Sequence, residues 1–277
     1  MTVIVLGAAG QLGQAIQFIS LKHTIHFEFF DSHHLDISNS EMVSAAFDKL
    51  KPDFCINAAA YTAVDKAEVE TEKADLINRI GVKNIAIACL NHNTTLLHIS
   101  TDFVFEGEKN VPYLETDPTN PQGIYGISKR NGEIEIERSM SKYFIVRTSW
   151  LYSDFGHNFK RTMLKLAKEK ESISVVNDQI GSPTNAIDLA EILVKILQSK
   201  SANYGIYHFS NEGTTSWYGF AKKIFELNQV SIDLKGISTS EYPTLAKRPK
   251  YSVLDTSKIK KEFSITIRSW EEALQQN

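Results

Sequence analysis

Cysteine is scarce: Cys55 and Cys89 are the two in 277 residues. Both sit in apolar segments, at a spacing that suits neither a disulfide framework nor a metal site. That excludes a disulfide-stapled scaffold and points to two small buried residues in a reducing compartment. Long apolar runs are missing too. The opening MTVIVLG is too short for a signal peptide or a membrane span, so cytoplasmic residence is expected, with no membrane partner. Charge of one sign is equally lacking. The formal net charge is −3 and the basic residues are scattered, which gives no surface for nucleic acid. What remains is ordinary for a globular chain, 42% hydrophobic and 23% charged, with length enough for one large α/β domain and a smaller lobe.

Along the first half, short apolar runs alternate with helical stretches. Val3 to Leu6 reads as a strand buried on both faces, followed by helix from Gln11 to Ser20. Ile25 to Phe30, Phe54 to Ile56, Thr95 to Ile99 and Tyr143 to Val146 read as further strands. Ser40 to Leu50, a long amphipathic stretch from Thr71 to Leu90, and the segment beginning near Tyr125 read as helices. This alternation implies a Rossmann-like, doubly wound parallel sheet over residues 1–149. From 150 to 277 the pattern loosens into helices at Asn158 to Lys170, Ala186 to Gln198 and Trp217 to Leu227, separated by polar loops. This part is expected to form mainly a substrate-binding lobe, with some segments returning to pack on the first domain.

Gly7, Gly10 and Gly13 fall in VIVLGAAGQLGQAI, between the first strand and its helix, with Gln11 and Leu12 inside the turn. The first glycine permits a tight turn, the second a close backbone approach to pyrophosphate, and the third close helix packing. The helix start then offers unpaired N–H groups to phosphate. Asp31 ends the second strand, where a carboxylate binds ribose hydroxyls. It would repel a 2′-phosphate and so favours NADH, while Ser32, His33 and His34 beside it leave NADPH open. The glycine spacing G-x-x-G-x-x-G is the short-chain dehydrogenase variant. Asp36 and Ile37 resemble the pair these enzymes set against adenine, and Ala58, Ala59 and Ala60 are small enough for a cofactor to lie against backbone.

Tyr125 and Lys129, four apart in YGISK, share a helical face. A free phenol titrates near 10, so a neighbouring ammonium is expected to stabilise its phenolate and bring it into use as an acid–base group. Thr101 closes HISTD at the carboxyl end of a strand, where ligands bind in open parallel sheets, and its hydroxyl can hold a substrate carbonyl. The expected chemistry is nicotinamide-dependent ketone reduction, with Tyr125 as proton donor.

Longer motifs extend this reading. GAAGQLG, AYTAVDKAE, HISTDFVFEG, PQGIYGISKRNGE, RTSW, DQIGSPT and YPTLAKRPKYSVLD together resemble the dTDP-4-dehydrorhamnose reductase family almost end to end. The resemblance implies reduction of the C4 ketone of dTDP-4-dehydro-L-rhamnose to dTDP-L-rhamnose by NADPH or NADH, with Thr101, Tyr125 and Lys129 as catalytic residues. It places Tyr61, Thr62, Val64 and Trp150 around the sugar, and Asn158, Gln179 and Arg248 at the nucleotide diphosphate. Trp217 reads as packing at a helix start.

Three positions depart from the family pattern. Phe103 stands where tyrosine is usual, Tyr251 where asparagine is common, and Ala15 where some members carry a glutamate that binds metal at a dimer interface. No metal is therefore expected, and a homodimer is left open. Phe103 also bears on the alternatives. Sugar-nucleotide dehydratases need an acid and a base after the threonine, and phenylalanine cannot be that base. A 4-epimerase and a non-catalytic NADP-binding subunit remain as competing readings.

Overall fold

The computed structural model describes residues 1–275. Six parallel strands form the central sheet, in the order Gly205–His208, Tyr143–Thr148, Thr95–Thr101, Phe54–Asn57, Thr2–Leu6, His26–Phe30. The run Val3, Ile4, Val5 is fully buried because helices cover both faces of the strand. On one face the helix Gln11–Ser20 packs against Ala186–Ser199, through Ala15, Ile16 and Ile19 against Leu189, Ala190 and Leu193. The other face carries Ser40–Leu50, Val82–His92 and Ile124–Ser139 over Ile4, Leu6, Cys55, Leu96 and Ile145. Strand order reverses between Thr2–Leu6 and Phe54–Asn57, which places a ligand crevice at their carboxyl ends.

The edge strand Gly205–His208 was not anticipated from the sequence. Four residues flanked by turn-forming Asn203 and Ser210 carry too short a pattern, and the strand forms by pairing with Tyr143–Thr148. Nor were the parallel strands Ser172–Val176 and Asp233–Ile237, which pair within a second core. That core gathers Tyr152, Met163, Ile173, Phe220 and Ile224 beneath the helices Phe159–Glu169 and Trp217–Leu227.

The stretch expected as one helix from Thr71 to Leu90 is interrupted. It runs as α-helix over Thr71–Asp75, as π-helix over Leu76–Gly81, and as α-helix again over Val82–His92. Asn78 accounts for the widened turn. Buried within it, Asn78 accepts from the Tyr61 N–H (2.9 Å) and donates to the Tyr61 carbonyl (3.0 Å) and to Ser128 Oγ (2.9 Å). A side chain spent on a neighbouring loop and helix favours a local bulge over regular winding.

Candidate active site

The glycine turn lies at the reversal point. Gly7 has φ +83°, and a Cβ there would come within 2.6 Å of the Ala59 nitrogen, so the turns after the first and third strands touch through backbone alone. The Ala58 N–H donates to Leu6 and the Ala59 N–H to the Asn57 side chain, which holds the alanine run in place. Gly10 is the N-cap of its helix and supplies no side chain to satisfy the first N–H groups. These groups are left for an anion, as a dinucleotide pyrophosphate requires. Gly13 packs against the Gly7 carbonyl and the Ala8 backbone. Gln11 reaches the segment after Trp150, donating to the Leu151 carbonyl (3.1 Å) and accepting from Ser153 (3.0 Å), while Leu12 is buried. A backbone cradle with these contacts fits a dinucleotide.

Asp31 ends the second strand and accepts from the backbone N–H of His33 and His34 and from the His34 ring (2.7 Å). The His34 side chain and then its N–H hold the carboxyl below the ordinary aspartate range. Asp36 is exposed and takes the Ser38 hydroxyl and N–H. Ile37 is buried against Gly81 in the π-turn, so its side chain packs in the core.

Thr101, Tyr125 and Lys129 come together. Thr101 closes the Thr95–Thr101 strand, and Tyr125 stands in the first turn of Ile124–Ser139 with Lys129 one turn on. Gly126 lets that helix touch the Phe103 carbonyl, where any Cβ would clash. The Phe103 ring meets the Tyr125 ring edge-on, with centroids 5.6 Å apart. Two further contacts set the helix. Glu68 accepts from the Ile124 N–H (2.9 Å) and so caps its start, and Ser128 donates to the Tyr125 carbonyl (2.8 Å) while accepting from Asn78. Neither Glu68, the last residue of AYTAVDKAE, nor Asn78 was given this role from the sequence, since each acts on residues about 50 positions away.

The electrostatics correct one expectation. Burial pushes the Tyr125 phenol up to about 12, with Asp102 adding to the rise and the Thr101 hydroxyl opposing it. Lys129 does not lower it. The lysine amine donates to the Ile99 carbonyl (2.6 Å), and burial brings it down to about 8, with Glu133 pulling the other way. The phenol is therefore held protonated, as an acid that donates during reduction must be. Thr101 itself donates to Asp102 (3.0 Å), whose carboxyl is raised to about 6 by burial.

Toward the second lobe, Thr62 is exposed and Val64 half-buried at the start of a short helix. Trp150 has φ +47° and stacks on Trp217 with centroids 3.6 Å apart, which confirms Trp217 as a packing residue. Gly181 of DQIGSPT makes room for the Trp150 indole, since a Cβ would lie 2.5 Å from it. Arg248 pairs with Asp65 and lies over the Phe103 ring, lining a cleft with Gln122, Gly123 and Lys247.

The other two diphosphate candidates are employed elsewhere. Asn158 caps the Phe159–Glu169 helix through Arg161 N–H and donates to the Ser153 and Phe155 carbonyls, which occupies both of its amide protons. Gln179 is buried and donates to Thr239 (3.1 Å). Polar side chains near a cleft and polar side chains that cap a helix look alike in sequence. Ala15 is buried between helices, and among the described residues no His, Cys, Asp or Glu group could hold a metal ion.

A doubly wound sheet, a glycine cradle at its reversal point and a threonine–tyrosine–lysine set define a dinucleotide-dependent oxidoreductase of the extended short-chain dehydrogenase class. Residues 1–277 match the family described as RmlD substrate binding domain. The chain is 42% identical to dTDP-4-dehydrorhamnose reductase of Aggregatibacter actinomycetemcomitans, over 98% of this chain and 96% of that one. It is 39% identical to the Escherichia coli K12 enzyme of the same name, over 98% and 95%. A crystal structure of dTDP-4-dehydrorhamnose reductase from Bacillus anthracis in complex with NADP superposes with TM-score 0.95 at 42% identity, covering 99% of this chain and 97% of that one. The UDP-glucose 4-epimerase of Thermus thermophilus, at 18% identity and TM-score 0.85, shares the fold. The chain belongs to the dTDP-4-dehydrorhamnose reductase family.

Proposed function

We propose that this chain reduces the C4 ketone of dTDP-4-dehydro-L-rhamnose to dTDP-L-rhamnose, using NADPH or NADH. The observation that carries the reading is a half-buried Tyr125 phenol, its titration pushed up from the usual value, beside the strand-end hydroxyl of Thr101, with Lys129 one helical turn away. Bound NAD(P)H supplies the hydride. Gly7, Gly10 and Gly13 would hold its pyrophosphate, with Asp31 at the adenosine ribose and Lys129 at the nicotinamide ribose. Thr101, whose hydroxyl donates to Asp102 in this structure, would orient the C4 oxygen by turning that hydroxyl toward it, and Tyr125 gives the oxygen a proton. Phe103 leaves no base after Thr101 and Asp102, which argues against water elimination.

The purified chain should oxidise one NADPH for each keto-sugar consumed. A chain that converts the sugar with no net oxidation would be an epimerase, and one that binds NADPH without turnover would be a binding subunit.

Two further outcomes are expected. The reductive rate should fall as pH rises through about 8, because Lys129 loses its ammonium there while Tyr125 stays protonated. A rate–pH profile flat to pH 10 would remove Lys129 from the charge balance. Arg248→Ala should raise KM for the dTDP-sugar about tenfold, the worth of one charge-assisted hydrogen bond, with NADPH affinity unchanged. Initial-rate kinetics in both substrates read this out.

The buried free thiols Cys55 and Cys89 support residence in a reducing compartment such as the cytoplasm. Among the described residues no helix is long and apolar enough to cross a membrane. A homodimer completes the proposal, and sedimentation velocity measures it.

A further inference from the structure

Beneath the catalytic helix lies a buried ion pair that the reaction scheme does not use. Glu133 and Arg147 are 0% and 1% exposed and meet through two parallel bonds, Arg147 Nε to Glu133 Oε1 at 2.9 Å and Nη2 to Oε2 at 2.7 Å. Arg130 adds a third bond to the same carboxylate at 3.1 Å. Burial alone would raise the Glu133 carboxyl, but Arg147, Ser100 and Arg130 outweigh it and keep the group ionised below its usual range. Replacing such a pair by uncharged groups is often neutral for stability. A merely structural role therefore leaves its charge unexplained.

Position supplies the explanation. Glu133 follows Lys129 by four residues on Ile124–Ser139, one turn along the same helical face. Lys129 is 2% exposed, and its amine is aimed by the Ile99 carbonyl. On its own helix it faces Tyr125 and Glu133. From the Thr95–Thr101 strand it faces His98, whose Nδ1 is bonded to the Asn57 amide at 3.0 Å and whose ring is held neutral by burial and by Lys129 itself. From Tyr143–Thr148 comes Arg147, already joined to Glu133. The carboxylate available to balance a buried ammonium at Lys129 is thus Glu133, and Arg147 fixes where that carboxylate sits.

We propose that Glu133 is a positioning residue for catalysis, clamped by Arg147 so that its carboxylate keeps Lys129 charged beside the nicotinamide ribose. The proposal rests on the reductase reading for the role of Lys129, and its test separates the two. Glu133→Gln alone strands Arg147 in the core, so the informative protein is the paired variant E133Q/R147Q, which removes both charges. Two pH profiles are measured for it and for the wild type: NADPH affinity by fluorescence in the absence of sugar, and kcat with dTDP-4-dehydro-L-rhamnose.

In the paired variant, the pH above which binding weakens and kcat falls should move down by up to about one unit, because, of the two charges removed, Glu133 is the one that raises Lys129. Glu133→Asp, which keeps the carboxylate and its Arg147 partner, should restore most of that shift. A folded paired variant with both profiles unmoved overturns the proposal. A paired variant that cannot fold also counts against it, because a structural role then accounts for the pair. Wild-type protein that binds NADPH with an alkaline limit near 8 yet reduces no keto-sugar would instead defeat the functional reading and leave the role of Glu133 standing.

Discussion

Tyr125→Phe should lower kcat for keto-sugar reduction about 10³-fold, within the range that a positioned general acid contributes. The argument rests on what the substitution leaves alone. The phenyl ring keeps its edge contact with Phe103, and the helix keeps its Glu68 cap and its Ser128–Asn78 tie, so the fold and the cleft survive. Only the acidic proton is lost. Neither Thr101 nor Lys129 can replace it in place, since the threonine hydroxyl donates to Asp102 and the lysine amine is directed at Ile99. NADPH affinity should change less than threefold, a shift under about 0.7 kcal/mol. Rapid-quench kinetics and NADPH titration of the same preparation check both halves. Retention of a tenth or more of the turnover would assign the proton to another group.

The second large effect belongs to the cofactor turn. Gly13→Ala adds a single methyl group, yet that carbon would overlap the Gly7 carbonyl oxygen and lie 2.6 Å from Ala8 Cα. Both obstacles are backbone, so no rotamer change relieves them. To make room, the helix Gln11–Ser20 must lift away from the first strand, which also moves its N–H groups from the phosphate position. Overpacking of this kind costs about 3 kcal/mol in a tight core. A rise of 30-fold or more in NADPH Kd is expected, roughly the loss of one or two charge-assisted bonds, together with a lower midpoint in urea. Gly10→Ala makes a useful contrast: its Cβ would meet only the Gly7 carbonyl, at 3.2 Å. It should fold normally and lose affinity through crowding of the pyrophosphate. Equal NADPH binding by Gly13→Ala and wild type would remove the cradle from the account.

How much of this was legible beforehand depended on whether the cause was local. Val3 to Leu6 announces a two-sided buried strand, and the glycines after it announce a turn, because sterics and burial act within a few residues. Tyr125 and Lys129 were readable for the same reason, since helical spacing alone aligns them. Other roles depended on contacts that the motifs do not show. Asn158, read as a diphosphate ligand, caps a helix through partners within five residues. Gln179, read likewise, bonds Thr239, and the Ile37 side chain, read beside adenine, lies against Gly81. For these two the partner is distant in sequence and leaves no mark on the local pattern. Glu68 and Arg147, inside AYTAVDKAE and RTSW, and Asn78, outside the motifs, were given no role at the catalytic helix for the same reason. They act on the catalytic helix from other elements, and only the folded chain brings them to it. The expected influence of Lys129 on the phenol failed for a subtler reason: burial, which sequence reports poorly, outweighs a neighbouring charge whose amine is turned toward Ile99.

The central claim is that a hydride reaches the sugar C4 carbon while Tyr125 protonates the oxygen. Its most direct test follows deuterium from NADPH labelled on the transferable nicotinamide C4 position into product, by NMR. The account predicts dTDP-L-rhamnose carrying deuterium at C4, one label for each NADPH oxidised, and none formed by Tyr125→Phe at comparable times. Product that lacks the label, or sugar converted while NADPH is left intact, would contradict it.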